Sequence, residues 1–290
     1  MNTYNPDGNK LLDYETAFPY YTALVREYLS VDQELPLERA VTKFVGPIRS
    51  AFVDHRRPAE DDVEGILWQA ARAVLQAACA PRDSPAALDR VHGRLAFLMK
   101  AVKDQGDLVR EPGQEQCRLW GWAVFTDLPV FSAEMREEFD RAAFAPDAAV
   151  RFPLYNAFAA RLTAIGVDFA LYAIWTIRDC LEEESPGLET LPAAVPWFVH
   201  CSGLLHSLAR RSGALLDYSA PKADLGALAV QHGLTIGGFT IERWEFWRSR
   251  LEEIAAGSDS AGDVAAVAVR HMRSAADGWA ESSRQSGRHQ

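Results

Sequence analysis

Residues 153–184 read PLYNAFAARLTAIGVDFALYAIWTIRDCLEEE, and two helical patterns lie back to back in this stretch. In the first, Leu154, Phe158, Leu162 and Ile165 recur at three- and four-residue steps, so they share one face of a helix. Pro153 is expected in its first turn and Gly166 just past its end, where a fixed φ and a missing Cβ respectively suit the chain. In the second, expected from Val167 to Glu183, Ala170, Ala173, Ile174, Ile177 and Leu181 form the core stripe. Asp168, Tyr172, Trp175 and Asp179 fall on the other side, within about 60° of one another at the helical repeat. Arg161 lies on the edge of the first apolar face, beside Leu154.

The same periodicity extends outward in both directions. Towards the N-terminus, Tyr21, Leu24, Val25, Tyr28 and Leu29 mark one helix, and Leu37, Val41, Phe44, Ile48 and Phe52 a second. Gly46-Pro47 is expected to kink or split that second helix, because proline removes a donor and clashes one turn back. Val63, Leu67, Ala70 and Val74 mark a third, and Leu88, Val91, Leu95, Leu98 and Val102 a fourth, opened by Ser84-Pro85 as cap and first residue. A polar loop spans residues 104–116. Ser132 is expected to cap a short helix carrying Met135, Phe139 and Ala142.

Beyond the opening stretch, a helix is expected from Leu191 to Arg211, with Trp197, Cys201, Leu204, Leu205 and Leu208 inward and His206 turned away. Thr240 is expected to cap an amphipathic helix whose stripe is Trp244, Trp247, Leu251 and Ile254. Ser258 to Gly262 reads as a hinge before a last alanine-rich helix. No alternating β-branched run is long enough for a strand. The expectation is therefore an all-α, single-domain multi-helix bundle over residues 14–281, with a disordered tail at 282–290. The loop at 104–116 is the best place for a boundary, should there be one.

Composition narrows the function classes. The chain has 290 residues, 48% hydrophobic and 24% charged, which is ordinary for a globular protein. A net charge of −10 argues against a phosphate-backbone binder, so no nucleic-acid partner is expected. Arg243, Arg248 and Arg250 are the best local basic patch, interleaved with glutamates. Cys79, Cys117, Cys180 and Cys201 are widely spaced, with no C-x-x-C pair, which reads as a reduced, cytoplasmic protein. The opening MNTYNPDGNKLLDYE has no apolar signal core, and the uncharged run Leu191–Ala209 carries two prolines, so no membrane insertion is expected.

Motifs for a nucleotide or a catalytic metal are missing: no G-x-G-x-x-G, Walker A loop, H-E-x-x-H or G-x-S-x-G occurs. Asp61-Asp62-Val63-Glu64 is the nearest approach to the acidic motif of a terpene cyclase, and no second motif accompanies it. His200 and His206 are six residues apart, so they cannot share a metal on an unbroken helix. No cofactor and no metal are expected.

Four segments carry a resemblance: WGWAVFTDLPVFSAEMREEFDR from Trp120, NAFAARLT from Asn156, DFALYAIWTIRDCLE from Asp168 and GFTIERWEFWRSRLEEI from Gly238. They resemble a fungal family known as a domain of unknown function, number 3632, over about Val63 to Ile254. The resemblance implies a setting near fungal secondary metabolism and implies no reaction.

Two functional readings follow. One is an α-helical accessory protein that binds a small apolar metabolite or a pathway enzyme. The other is a cofactor-independent cyclase, isomerase or dehydratase acting on a polyketide or terpenoid intermediate. In the latter, Asp168 or Asp179 would serve as acid or base and Tyr172 as proton donor. Arg161 would clamp an anionic oxygen and Trp175 would form a wall, with Asn156 and His200 as further substrate contacts.

Overall fold

The computed structural model describes residues 14–32, 35–53, 59–109, 116–183, 188–211, 223–257 and 259–286. The chain is an all-α multi-helix bundle whose contacts gather into two compact units, Met1–Pro146 and Asp147–Gln290. The division falls at 146/147 rather than in the 104–116 loop.

The first unit holds α1 (Tyr14–Leu29), α2 (Leu37–Val53), α3 (Ala59–Ala78), α4 (Pro85–Lys103) and α5 (Pro129–Phe144). Helix α3 is its hub, packed by α1, α2, α4 and α5. That position explains why Val63, Ile66, Ala70, Ala71, Ala73 and Val74 are all buried: a helix covered on several sides needs apolar residues beyond a single stripe. Tyrosines stitch the layers without leaving a polar atom stranded: the Tyr21 hydroxyl donates to the Phe44 carbonyl at 2.9 Å, and Tyr28 to the Arg94 carbonyl at 3.1 Å.

Helix α2 runs through Gly46-Pro47 without a break, contrary to the expected split. The start of α4 follows the sequence reading: Ser84 Oγ accepts from Ala87 N at 3.2 Å and Pro85 takes the first position. Helix α5 instead begins at Pro129, ahead of the expected cap at Ser132, whose N–H already bonds the Leu128 carbonyl at 2.9 Å. Proline at the first position suits a helix start because its missing N–H would have had no partner there.

Before α5 comes a minimal hairpin, β1 (Arg118–Leu119) and β2 (Trp122–Ala123), antiparallel with Arg118 opposite Ala123. Trp120 (φ 56°) and Gly121 (φ 85°) make the two-residue turn with both central residues left-handed, as a primed hairpin turn requires. Two-residue strands have no alternation to detect, so the sequence pattern could not show them.

The second unit holds α6 (Ala148–Ala164), α7 (Ala170–Leu181), a 3₁₀ turn (Leu188–Thr190), α8 (Leu191–Arg210), α9 (Ala227–Gln231), α10 (Ile241–Ala255) and α11 (Ser260–Ser286). Here α8 is the hub, packed by α6, α7, α10 and α11. No helix among the described residues is long and apolar enough to cross a membrane, so the apolar run of α8 is explained by burial. Trp197, Trp244 and Trp247 are fully buried, each contributing on the order of 2–3 kcal/mol at most by apolar area.

Three expectations need correction here. Helix α6 starts at Ala148, so Pro153 sits inside it; the carbonyl one turn back belongs to Ala149, an exposed residue. The end of α6 is as expected: Gly166 takes φ 91°, Gly166 N bonds the Thr163 carbonyl and Val167 N the Leu162 carbonyl. These paired bonds close the helix in a Schellman turn. Helix α7 therefore starts only at Ala170, whose N–H is accepted by Asp168 Oδ1 at 2.9 Å. Helix α11 runs on to Ser286, into the segment expected as tail, while 287–290 lie outside the described residues.

Candidate functional site

Around α7 the core stripe is as read: Ala170, Ala173, Ile174, Ile177 and Leu181 are buried. On the opposite side the rings come together. Tyr172 lies 5.1 Å from Trp175, 5.7 Å from Phe169 and 6.2 Å from Tyr155 between centroids, in the range of favourable aromatic pairs. Tyr172 is buried and Trp175 half-buried, as is Arg161 on the neighbouring helix.

The two aspartates are not drawn into that interior. Asp168 is exposed and spends one oxygen on the start of α7. Asp179 has 56% of its side chain accessible and pairs with Arg178 at 3.3 Å. Partial desolvation holds the Asp179 carboxyl above its ordinary value, while Arg178 pulls it back down and Glu182 pushes the same way as burial.

Asn156 and His200 take different places. Asn156 is fully buried; its Nδ2 donates to the Phe152 carbonyl at 2.9 Å. Its Oδ1 accepts from Thr176 Oγ1 at 2.9 Å and Trp197 Nε1 at 2.8 Å, so both lone pairs of that oxygen are used. One amide thus ties α6, α7 and α8 together. His200 is half-buried on α8. His206, expected to turn away, is buried between the rings of Trp244 at 5.3 Å and Trp279 at 6.0 Å, because α10 and α11 cover that side of α8. Burial lowers its pKa from 6.5, Arg210 lowers it further and Glu245 opposes both.

The strongest polar construction in the second unit is one that sequence reasoning missed. Glu182 and Arg243 are both 0% exposed. Arg243 Nε donates to Glu182 Oε1 at 2.6 Å and Nη2 to Oε2 at 3.0 Å, a two-pronged pair. Its remaining donors reach the carbonyls of Ala223 (2.9 Å), Gly238 (3.0 Å) and Asp224 (2.9 Å). The carboxylate also accepts from Trp247 Nε1 at 2.5 Å and Gly226 N at 2.8 Å. Every donor of the guanidinium is engaged, so this buried pair meets the condition under which burial of charge is tolerated. It clamps both ends of the 223–238 segment to α7 and α10. Such a saturated network holds structure and has no free valence for chemistry.

Arg243 could have been found from sequence. At about 100° per residue it falls on the edge of the stripe of Trp247, Leu251 and Ile254, about 20° from Ile254, and a charge at a helix edge is by default assigned to solvent. A parallel case is Glu134 and Glu138 on α5, which are 1% and 2% exposed and held by Arg141 at 2.5 and 3.0 Å.

Cysteine and metal chemistry are not in evidence. All four cysteines are buried and free. Burial pushes the Cys180 thiol up to about 11 and the Cys201 thiol up to about 12, far from a reactive thiolate. Among the described residues no group of three or more His, Cys, Asp or Glu could hold a metal ion.

Among the described residues, one concave feature with room for a ligand is an open groove of about 580 Å³ in the first unit, between α1, the end of α3 and the start of α4. Three helix faces build it. Helix α1 gives Thr22, Val25, Arg26 and Leu29; α3 gives Ala73, Gln76 and Ala77, with Ala80 just beyond. Both sets follow the i, i+3, i+4, i+7 spacing of one helix face. Ala87, Arg90 and Val91 of α4 continue it, and Arg82 and Asp83 stand at the connection. The alanines create the space: larger side chains at 73, 77 and 80 would fill it. Val25, Ala73 and Val91 are buried and form the apolar floor.

A family model described as "Protein of unknown function (DUF3632)" matches residues 72–251. The chain belongs to this family. The DUF3632 match begins inside α3 and ends inside α10, so it contains the Glu182–Arg243 clamp, the Asn156 hub and the α3 and α4 walls of the groove. The α1 wall of the groove lies before it. No curated protein and no solved structure matches the chain.

Proposed function

We propose that this DUF3632 protein is a small-molecule-binding accessory protein whose ligand seat is the α1–α3–α4 groove. The observation that carries this reading is the groove itself. Its volume of about 580 Å³ lies within the usual range for small-molecule sites, and apolar floor and polar rim are combined as such sites combine them. The Glu182–Arg243 pair and the Asn156 side-chain oxygen of the second unit support the reading by contrast, since their hydrogen-bonding capacity is taken up by the fold. The ligand in this reading is a small apolar metabolite of fungal secondary metabolism, and a pathway enzyme is the alternative partner; the resemblance described above is what supports that setting.

The neutral fluorescent probe N-phenyl-1-naphthylamine tests this. Saturable binding to the wild type should be lost in Ala77→Trp, which fills the groove, and kept in Asp168→Asn. Saturable binding that survives Ala77→Trp would place the seat elsewhere.

A second reading, a cofactor-independent enzyme at the α6–α7 aromatic cluster, draws support from the raised carboxyl of Asp179 beside Tyr172 and Trp175 on one helix face. Asp179 or Asp168 would then be the acid or base. Unchanged metabolite profiles in strains carrying Asp168→Asn and Asp179→Asn would remove it.

A further inference from the structure

The groove's charge names the ligand class, and this step rests on the reading that the groove is the ligand seat. We infer that its occupant is amphipathic, with an apolar body and an anionic head group such as a carboxylate.

The titratable side chains lining the groove are Arg26, Arg82, Asp83 and Arg90, three cations against one anion. On a chain of net charge −10, a cleft with an excess of guanidinium groups runs against the average. It therefore marks a local preference rather than a general one. Arg82 is tied to the end of α3 through the Ala77 carbonyl at 2.8 Å. Arg26 and Arg90, one on α1 and one on α4, form no ion pair among the described residues, whereas Arg141, Arg178, Arg243 and Arg250 each have a carboxylate. Two guanidinium groups without a carboxylate, on two walls of one groove, suit a planar anion that arginine binds through paired N–H donors.

The rest of the lining rules out a bare inorganic ion as the natural occupant. Val25, Leu29, Ala73, Ala80 and Val91 present hydrocarbon, and only an apolar body covers it.

The test uses isothermal titration calorimetry on the full chain at low salt with four probes of one chain length: octanoate, octyl phosphate, 1-octanol and octyltrimethylammonium. The inference expects octanoate or octyl phosphate to bind at least fivefold tighter than octanol, the tighter of the two naming the head group, with the ammonium weakest. In the exposed double variant Arg26→Gln/Arg90→Gln, the anion's advantage should disappear while octanol affinity is unchanged. Equal binding of anion and alcohol, or a preference for the ammonium, would overturn the inference and leave the groove as ligand seat. An anion preference that persists in the double variant would also overturn it. No binding of any probe to the wild type would remove the underlying functional reading as well.

Discussion

Replacing Glu182 by Gln removes the charge that the buried guanidinium of Arg243 faces, with almost no change in shape. In the native protein the two carboxylate oxygens accept four donors: Arg243 Nε and Trp247 Nε1 at Oε1, Arg243 Nη2 and Gly226 N at Oε2. A glutamine offers one oxygen and one amino group, so whichever way it turns, two of the four donors meet a donor. Each stranded donor costs about 1–3 kcal/mol, and the guanidinium stays charged where both partners are fully buried. Breaking such a pair by removing one member costs about 3–5 kcal/mol, in line with the sum over stranded donors.

For a protein of this size that loss corresponds to a drop in melting temperature of about 5–8 °C. Equilibrium urea unfolding followed by tryptophan fluorescence reads it directly, since Trp247 is part of the network. The double variant Glu182→Leu/Arg243→Met should be less destabilised than the two single losses added together, because no unpaired charge remains. It should not equal the wild type, because the carbonyls of Ala223, Asp224 and Gly238 lose their donors. A Glu182→Gln protein within about 1 kcal/mol of the wild type would refute this reasoning.

Other consequences are open to the same instruments. Gly226→Ala should destabilise the protein by about 1–3 kcal/mol, because a Cβ there would stand 2.6 Å from Glu182 Cβ and from the Glu182 carbonyl oxygen; urea midpoints unmoved by the substitution would contradict the packing. Asn156→Leu strands the donors of Thr176 and Trp197 and should cost about 2–5 kcal/mol in the same assay, against little change for an exposed control such as Gln76→Leu. His206, whose folded pKa lies below 6.5, takes up its proton in the unfolded chain first, so its contribution to stability should be present above that pH and fall away as the pH drops through it. His206→Phe should flatten the loss of stability between about pH 7 and pH 5; identical pH profiles would show that the buried imidazole is not its source.

The helices were legible because each carries its own period. The stripes of α7 and α10, the Ser84 and Thr240 caps and the Gly166 terminator are local, and local spacing describes them. The split expected at Pro47 and the helix start expected at Pro153 did not appear because proline forbids one hydrogen bond, and a helix can lose one where the orphaned carbonyl finds another partner, as that of Lys43 does in the Tyr20 hydroxyl at 2.8 Å, or belongs to an exposed residue, as that of Ala149 does. The Glu182–Arg243 clamp was illegible for a different reason. Its members are 61 residues apart, so no periodic signal links them, and a run of three glutamates closing a helix looks solvated. The same limit hid the groove. Each of its faces is present in the sequence at helical spacing, but that α1 and α4 flank the end of α3 is decided by tertiary packing. The attention drawn to Asp168 and Asp179 came from their helical position beside large aromatics, and the structure places both carboxylates on the exposed side of that cluster.

The claim that the groove is where this protein meets its ligand is tested most directly by methyl NMR during titration with 1-octanol. The account predicts saturable shifts centred on the methyl groups of Val25, Leu29 and Val91, absent in Ala77→Trp. Shifts gathered instead on methyl groups of α7, with the groove methyls unmoved, would contradict it.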